Sequence, residues 1–278
     1  MTEYLDVDGG RIAYDVTGEG PLVVLVPGMG VRRDFYSSLA SQLVAAGYRV
    51  ATTDVRGHGE SSTGWSSYTR TDTAADTLAL IRELGGPAVV VGSSFGGGSA
   101  TIAAVQAPEL VSAVVEIGPF TRVPKISLGA LLRNRRHRKG ALLLLATGLT
   151  GSVGVWMRYL DHAFPGPKPA GYRELIDGLQ ANLREPGRMR AAQKMGQSQP
   201  NDAGAQLGHI RCPALVVMGT LDPDWPDPKA EADGIVAAMP AGLGRAVMID
   251  GAGHYPHTQF PDQVAAAMLP FLKEHAGA

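Results

Sequence analysis

The chain has a single cysteine, Cys212. One thiol excludes an internal disulfide framework and a cysteine-based zinc site, and it fits a reducing compartment. Core filling is its expected role. Charge excess is missing too, since 25 Lys and Arg against 26 Asp and Glu leave a formal net charge of −1. General attraction to nucleic acid or acidic lipid needs a pronounced, clustered basic surplus, so no nucleic-acid partner is expected. Long hydrophobic runs are also lacking. The most membrane-like uncharged stretch, residues 140–157, is interrupted by Gly, Thr and Ser and falls short of the roughly 20 apolar residues that span a bilayer. It reads as a buried or lid helix, and membrane contact is not expected. The first six residues, Met1-Thr2-Glu3-Tyr4-Leu5-Asp6, carry neither the basic start nor the apolar stretch of a secretory signal, so a cytoplasmic location is expected. No His/Cys/Asp cluster has ligand-like spacing, and neither a metal nor an organic cofactor is expected. Internal repeats, low-complexity tracts and disordered linkers are absent from the sequence.

What is present is the pattern of one sizeable α/β domain carrying an insertion: 278 residues, 45% hydrophobic and 18% charged. Strands are expected at residues 11–16, 21–26, 48–53, 88–92 and 110–117, alternating with helices at 39–46, 73–84 and 96–107. The central runs are nearly continuous in hydrophobicity, as in a mostly parallel sheet covered by helices on both faces. Between 119 and 208 no strand is evident. Helices are expected there at 128–138, 141–147, 153–162, 172–183 and 187–194, which reads as an inserted helical cap. Strands resume at 212–218 and 245–249, separated by a helix near 229–238 and followed by one at 261–273. The core domain is thus expected at 1–118 and 209–278, with the cap at 119–208.

The chemistry centres on Gly92-Ser93-Ser94-Phe95-Gly96, where a buried strand runs into Gly-x-Ser-x-Gly and then into a helix. A nucleophile at such a turn has a strained backbone, and small residues two before and two after let strand and helix approach. The helix beginning after Ser94 presents free N–H groups, so that of Phe95 can stabilise an oxyanion. Taken alone, the pattern equally describes a glycine-rich turn with a solvent-facing serine, and Ser93 reads as a spacer. A serine needs a base and a group that orients it. His254 follows the strand at 245–249, and Asp222 lies just beyond the strand at 212–218. Both would sit outside the carboxyl ends of strands, where ligands bind in sheets of this kind. His257 competes as base, Asp224 and Asp227 compete as acid, and Glu116 at the end of the strand at 110–117 is a further candidate. The order Ser94, Asp222, His254 and the three strand ends favour that set over its rivals.

Together with Asp54-Val55-Arg56-Gly57-His58-Gly59-Glu60-Ser61, Gly219 to Asp222 and Gly253-His254, the elbow resembles the α/β-hydrolase fold family over nearly the whole length. The resemblance implies an α/β-hydrolase fold and a Ser94–Asp222–His254 triad. It also implies an oxyanion hole from the backbone N–H groups of Met29 and Phe95. The family usually has His-Gly after its third strand, whereas this chain has Pro27-Gly28, so the hydrogen bonds of that histidine are lost. His58 sits in a loop that is chiefly structural in similar proteins. An aspartate at the elbow serves epoxide hydrolases and haloalkane dehalogenases of this fold, and Ser94 argues against both.

These readings give an expected function: a serine hydrolase cleaving a small carboxylic ester, thioester or lactone through an acyl-enzyme. The alternatives are C–C bond hydrolysis, lyase or cofactor-free perhydrolase chemistry on the same scaffold, or a ligand sensor without turnover. Trp156 and Tyr159 are candidates for substrate contact. With residues 142–145 and Phe164 they would roof an apolar pocket, which favours a substrate with an apolar portion, although such spacing also suits cap core. The basic run Arg133-Asn134-Arg135-Arg136-His137-Arg138-Lys139 reads as a solvated helix face, with an anionic substrate or membrane surface as the alternative.

Overall fold

The computed structural model describes residues 1–123 and 128–277. Residues 124–127, inside the expected insertion, and Ala278 lie outside the described residues. Eight strands form one sheet in the order β1-β2-β4-β3-β5-β6-β7-β8. They are β1 (Glu3–Val7), β2 (Gly10–Thr17), β3 (Leu22–Val26), β4 (Arg49–Thr53), β5 (Ala88–Ser93), β6 (Val111–Ile117), β7 (Ala214–Gly219) and β8 (Gly244–Ile249). From β4 onward every neighbouring pair is parallel, while β1–β2 and β2–β4 are antiparallel. The mostly parallel reading holds. β1 was not expected from the sequence, because as a half-exposed edge hairpin it lacks the continuous apolar run of the buried strands.

Successive side chains of a strand point to opposite faces, and this alternation sorts the core into two layers. Val24, Val26 and Val90 face a layer built with α2 (Arg70–Glu83), α3 (Phe95–Gln106), α9 (Asn201–Gln206) and α10 (Pro228–Ala238). Val23, Leu25, Val89 and Val91 face the other, built with α1 (Ser37–Ala45) and α12 (Pro261–His275). β5 is buried along its whole length between β3 and β6. The element that carries the elbow is therefore the most constrained part of the sheet.

Between β6 and β7 run α4 (Leu128–Arg133), α5 (Arg135–Thr150), α6 (Val153–Ala163), α7 (Tyr172–Leu183) and α8 (Arg188–Gln197), followed by α9. The expected helices at 128–138 and 141–147 are divided differently. Asn134 leaves the helical region and its side chain accepts the His137 N–H, so α5 starts at Arg135 and runs unbroken through Gly140. A third apolar cluster joins Trp156, Tyr159, Leu160, Phe164, Leu179 and Leu183 of this insertion to Val31, Phe35 and Tyr255 of the loops below. α2 begins three residues before the expected start, because Thr69 and Asp72 form a reciprocal capping box. A short helix, α11 (Pro256–Gln259), follows the loop of His254. No helix among the described residues is long and apolar enough to cross a membrane.

Candidate active site

Ser94 directly follows β5 and caps α3 with φ 52° and ψ −116°, the one non-glycine residue of positive φ among those described. Such a backbone persists only where the surroundings hold it. Its N–H donates to Ile117 O at 2.8 Å, and its carbonyl accepts from Phe120 and Gly97 at 3.1 Å each. The flanking glycines are required by space: a Cβ on Gly92 would stand 2.1 Å from Gly96 O, and one on Gly96 2.4 Å from Val26 O. Strand, turn and helix are pressed together here more closely than any side chain allows.

The loops after β7 and β8 meet through another pair of glycines. A Cβ on Gly219 would lie 2.2 Å from Gly253 O, and the Leu221 N–H donates to Ala252 O at 2.8 Å. This approach sets Asp222 against His254. Nδ1 of His254 lies 2.9 Å from Asp222 Oδ2 and 3.3 Å from Asp224 Oδ2, with all three residues buried. Asp224 N–H donates to Asp222 Oδ1 at 2.9 Å, and Tyr159 on α6 donates its hydroxyl to Asp224 Oδ2 at 2.7 Å. Burial disfavours the imidazolium, but the charges of Asp222 and Asp224 outweigh it and raise the His254 pKa to about 9. Burial and the Asp222 charge push Asp224 up to about 6, against the opposing pull of His254. Nε2 of His254, the nitrogen away from the carboxylates, is buried without a hydrogen-bond partner among the described residues.

Ser94, Met29, Phe95, Trp156, Tyr159, Asp224 and His254 line one cavity of about 210 Å³, completed largely by apolar residues such as Phe120, Leu144 and Met195. The Met29 N–H has no acceptor among the described residues, and Phe95, first in α3, has no carbonyl a turn earlier to receive its own. The loop that presents Met29 is held at its next residue from both sides. Gly30 donates its N–H to His58 Nε2 at 2.9 Å, while its carbonyl accepts the Trp156 indole N–H at 2.8 Å. His58 in turn donates Nδ1–H to Arg56 O at 3.0 Å. Burial lowers its pKa to about 4, which keeps it neutral and able to accept. A histidine from the next loop thus braces the segment in which Pro27 replaces the family's usual histidine.

The other candidates lie elsewhere. Glu116 is buried and bonded to Thr101 Oγ1, not to His254, and burial raises its pKa to about 8. His257 stacks near Tyr36 with ring centres 4.4 Å apart, and burial lowers its pKa to about 3. Asp227 caps α10 through the Ala230 N–H. Asp222, Asp224 and His254 also offer three ligand-type atoms within 4.8 Å of one another, an arrangement that imidazole–carboxylate hydrogen bonding accounts for. Sequence reasoning missed Arg70. Buried beside Phe95 in the cavity wall, it lies within the Thr69-x-x-Asp72 capping signal as the first residue of α2.

Residues 23–267 match the alpha/beta hydrolase family, and the chain belongs to it. Among its relatives is a Mycobacterium tuberculosis protein provisionally named non-heme bromoperoxidase BpoC, 42% identical over 94% of this chain and 97% of its own. Polyketide synthase ThaQ of Burkholderia thailandensis is 31% identical over 98% of this chain, which spans only 13% of that protein. The esterase EaEST of Exiguobacterium antarcticum shares the fold, with a TM-score of 0.80 and 20% identity over 98% of this chain and 100% of its own.

Proposed function

We propose that this hydrolase cleaves an ester-like bond of a small molecule through a covalent acyl-enzyme on Ser94. The observation that carries this reading is the pairing of a strained serine with an imidazole whose Nδ1 is anchored to Asp222 and whose buried Nε2 is unpartnered among the described residues, both lining one cavity. His254 Nε2 takes the Ser94 proton as Oγ bonds to the carbonyl carbon. The carbonyl electron pair moves onto oxygen, where the N–H groups of Met29 and Phe95 receive it. Collapse expels the alcohol, which takes the proton from His254. Water, deprotonated by His254, then attacks the acyl-enzyme, releasing the acid and returning the proton to Ser94. Asp222 orients the imidazole and stabilises its charged form. The insertion at 119–208 acts as a cap over this cavity, and its apolar lining suits a substrate with an apolar portion.

The test is hydrolysis of p-nitrophenyl esters of graded acyl length by the wild type and by Ser94→Ala. Turnover that disappears in the variant supports the reading, and equal turnover overturns it. Cofactor-free perhydrolysis, in which hydrogen peroxide replaces water as acceptor of the acyl group, is favoured as a second reading by the similarity to BpoC. Peracid formation from an ester and peroxide distinguishes it.

A further inference from the structure

Arg70 is a buried cation in the wall of the cavity that holds Ser94, and no carboxylate forms an ion pair with it among the described residues. Its Nε donates to Phe120 O at 3.1 Å and its Nη1 to Ser198 O at 3.0 Å, which leaves Nη2 without a protein partner among those residues. The guanidinium carbon lies 4.3 Å from the centre of the Phe95 ring, which supports one face of the planar group. Space for the side chain comes from Gly98 on α3, where a Cβ would stand 2.7 Å from Arg70 Cδ. Asp202 on α9 is the one carboxylate whose charge acts on it, and that carboxylate bonds to Thr71 instead. Burial lowers the Arg70 pKa only to about 10, so the group stays charged at neutral pH.

A buried guanidinium with no counter-charge is costly, and sites retain such groups where an anion completes them. Apart from His254 and the backbone N–H groups placed at the oxyanion, the lining is mostly apolar, and Arg70 is the one Arg or Lys in it among the described residues. We infer that the substrate carries a carboxylate which Arg70 binds, a few atoms from the carbonyl attacked by Ser94. The assignment rests on the proposed site, and it narrows the substrate class to half-esters or related acids with a short apolar spacer.

The test separates this inference from the catalytic reading by measuring binding without turnover. Thermal shifts with free dicarboxylates from malonate to adipate are compared with those for their dimethyl esters, which carry no carboxylate, using the wild type, Ser94→Ala and Arg70→Gln. At least one dicarboxylate is expected to raise the Tm of the wild type and of Ser94→Ala more than its diester does, and to lose that advantage in Arg70→Gln. Equal stabilisation in Arg70→Gln, or none by any diacid in the wild type, overturns the inference and leaves Arg70 as a brace between two loops. In turnover, the ratio of kcat/KM for a p-nitrophenyl half-ester to that for its neutral methyl-capped counterpart is expected to fall by about tenfold to a hundredfold in Arg70→Gln. Arg70→Lys, which keeps the charge, restores part of the ratio. If Arg70→Gln fails to fold, the Arg70→Lys ratio and the wild-type preference for diacid over diester decide. Persistent diacid binding alongside an active Ser94→Ala would sink the serine mechanism and leave the carboxylate site standing.

Discussion

Tyr159 donates its hydroxyl to Asp224 at 2.7 Å, and through that contact the inserted helix α6 holds one of the two carboxylates that face His254. Asp222 is the nearer of the two, yet both charges raise the affinity of the imidazole for a proton. A general base works only when neutral, so kcat/KM is expected to rise with pH through the raised pKa of His254. Asp224→Asn removes one charge while keeping the shape, and the inflection is expected to move to lower pH. An unmoved inflection would mean that Asp224 is electrostatically silent at the base. Tyr159→Phe frees Asp224 from its donor without adding charge, so its profile is expected to keep the high inflection while kcat falls.

Ser94→Ala is expected to lower kcat by at least about a thousandfold, in line with the loss of other hydrolase nucleophiles. Circular dichroism checks that the fold is kept, because alanine at φ 52° is no better suited to the turn than serine. Retained turnover in a folded variant would remove Ser94 from the chemistry.

Much of this site was legible because its signals are local. The elbow glycines, the positive φ they permit at Ser94 and the loops that follow β7 and β8 depend on residues next to one another in the chain. What remained open depended on side-chain direction. Asp222, Asp224 and Asp227 are two or three residues apart in one turn-rich run, and spacing alone does not tell which faces an imidazole 30 residues on. Arg70 was missed for a different reason: its helix was expected to start at residue 73, so the residue that supplies a buried cation fell in a presumed loop. The clamp on Gly30 joins residues 28 and 126 positions away, a relation no local pattern encodes.

That clamp has a measurable role. Trp156→Phe keeps the ring but removes the N–H that Gly30 O accepts, leaving a buried carbonyl short of a donor. The expected cost is about 1–3 kcal/mol of stability, together with a lower kcat and little change in KM, since the role proposed for the neighbouring Met29 N–H is in the transition state. A change confined to KM would place Trp156 in substrate binding instead.

Glu116 offers a test away from the reaction. Buried in β6, it has a pKa raised to about 8 by loss of solvation, against an ordinary value near 4.5. Between those values the folded chain keeps a proton that the unfolded chain releases, so this group makes stability fall as pH rises. Glu116→Gln keeps the size and stays neutral. Its Tm is therefore expected to pull ahead of the wild type as pH is raised from 5 to about 8, with each kcal/mol worth roughly 2–4 °C in a chain of this length. A constant difference across that range would mean that Glu116 is already ionised in the fold, with its charge balanced by groups other than Thr101.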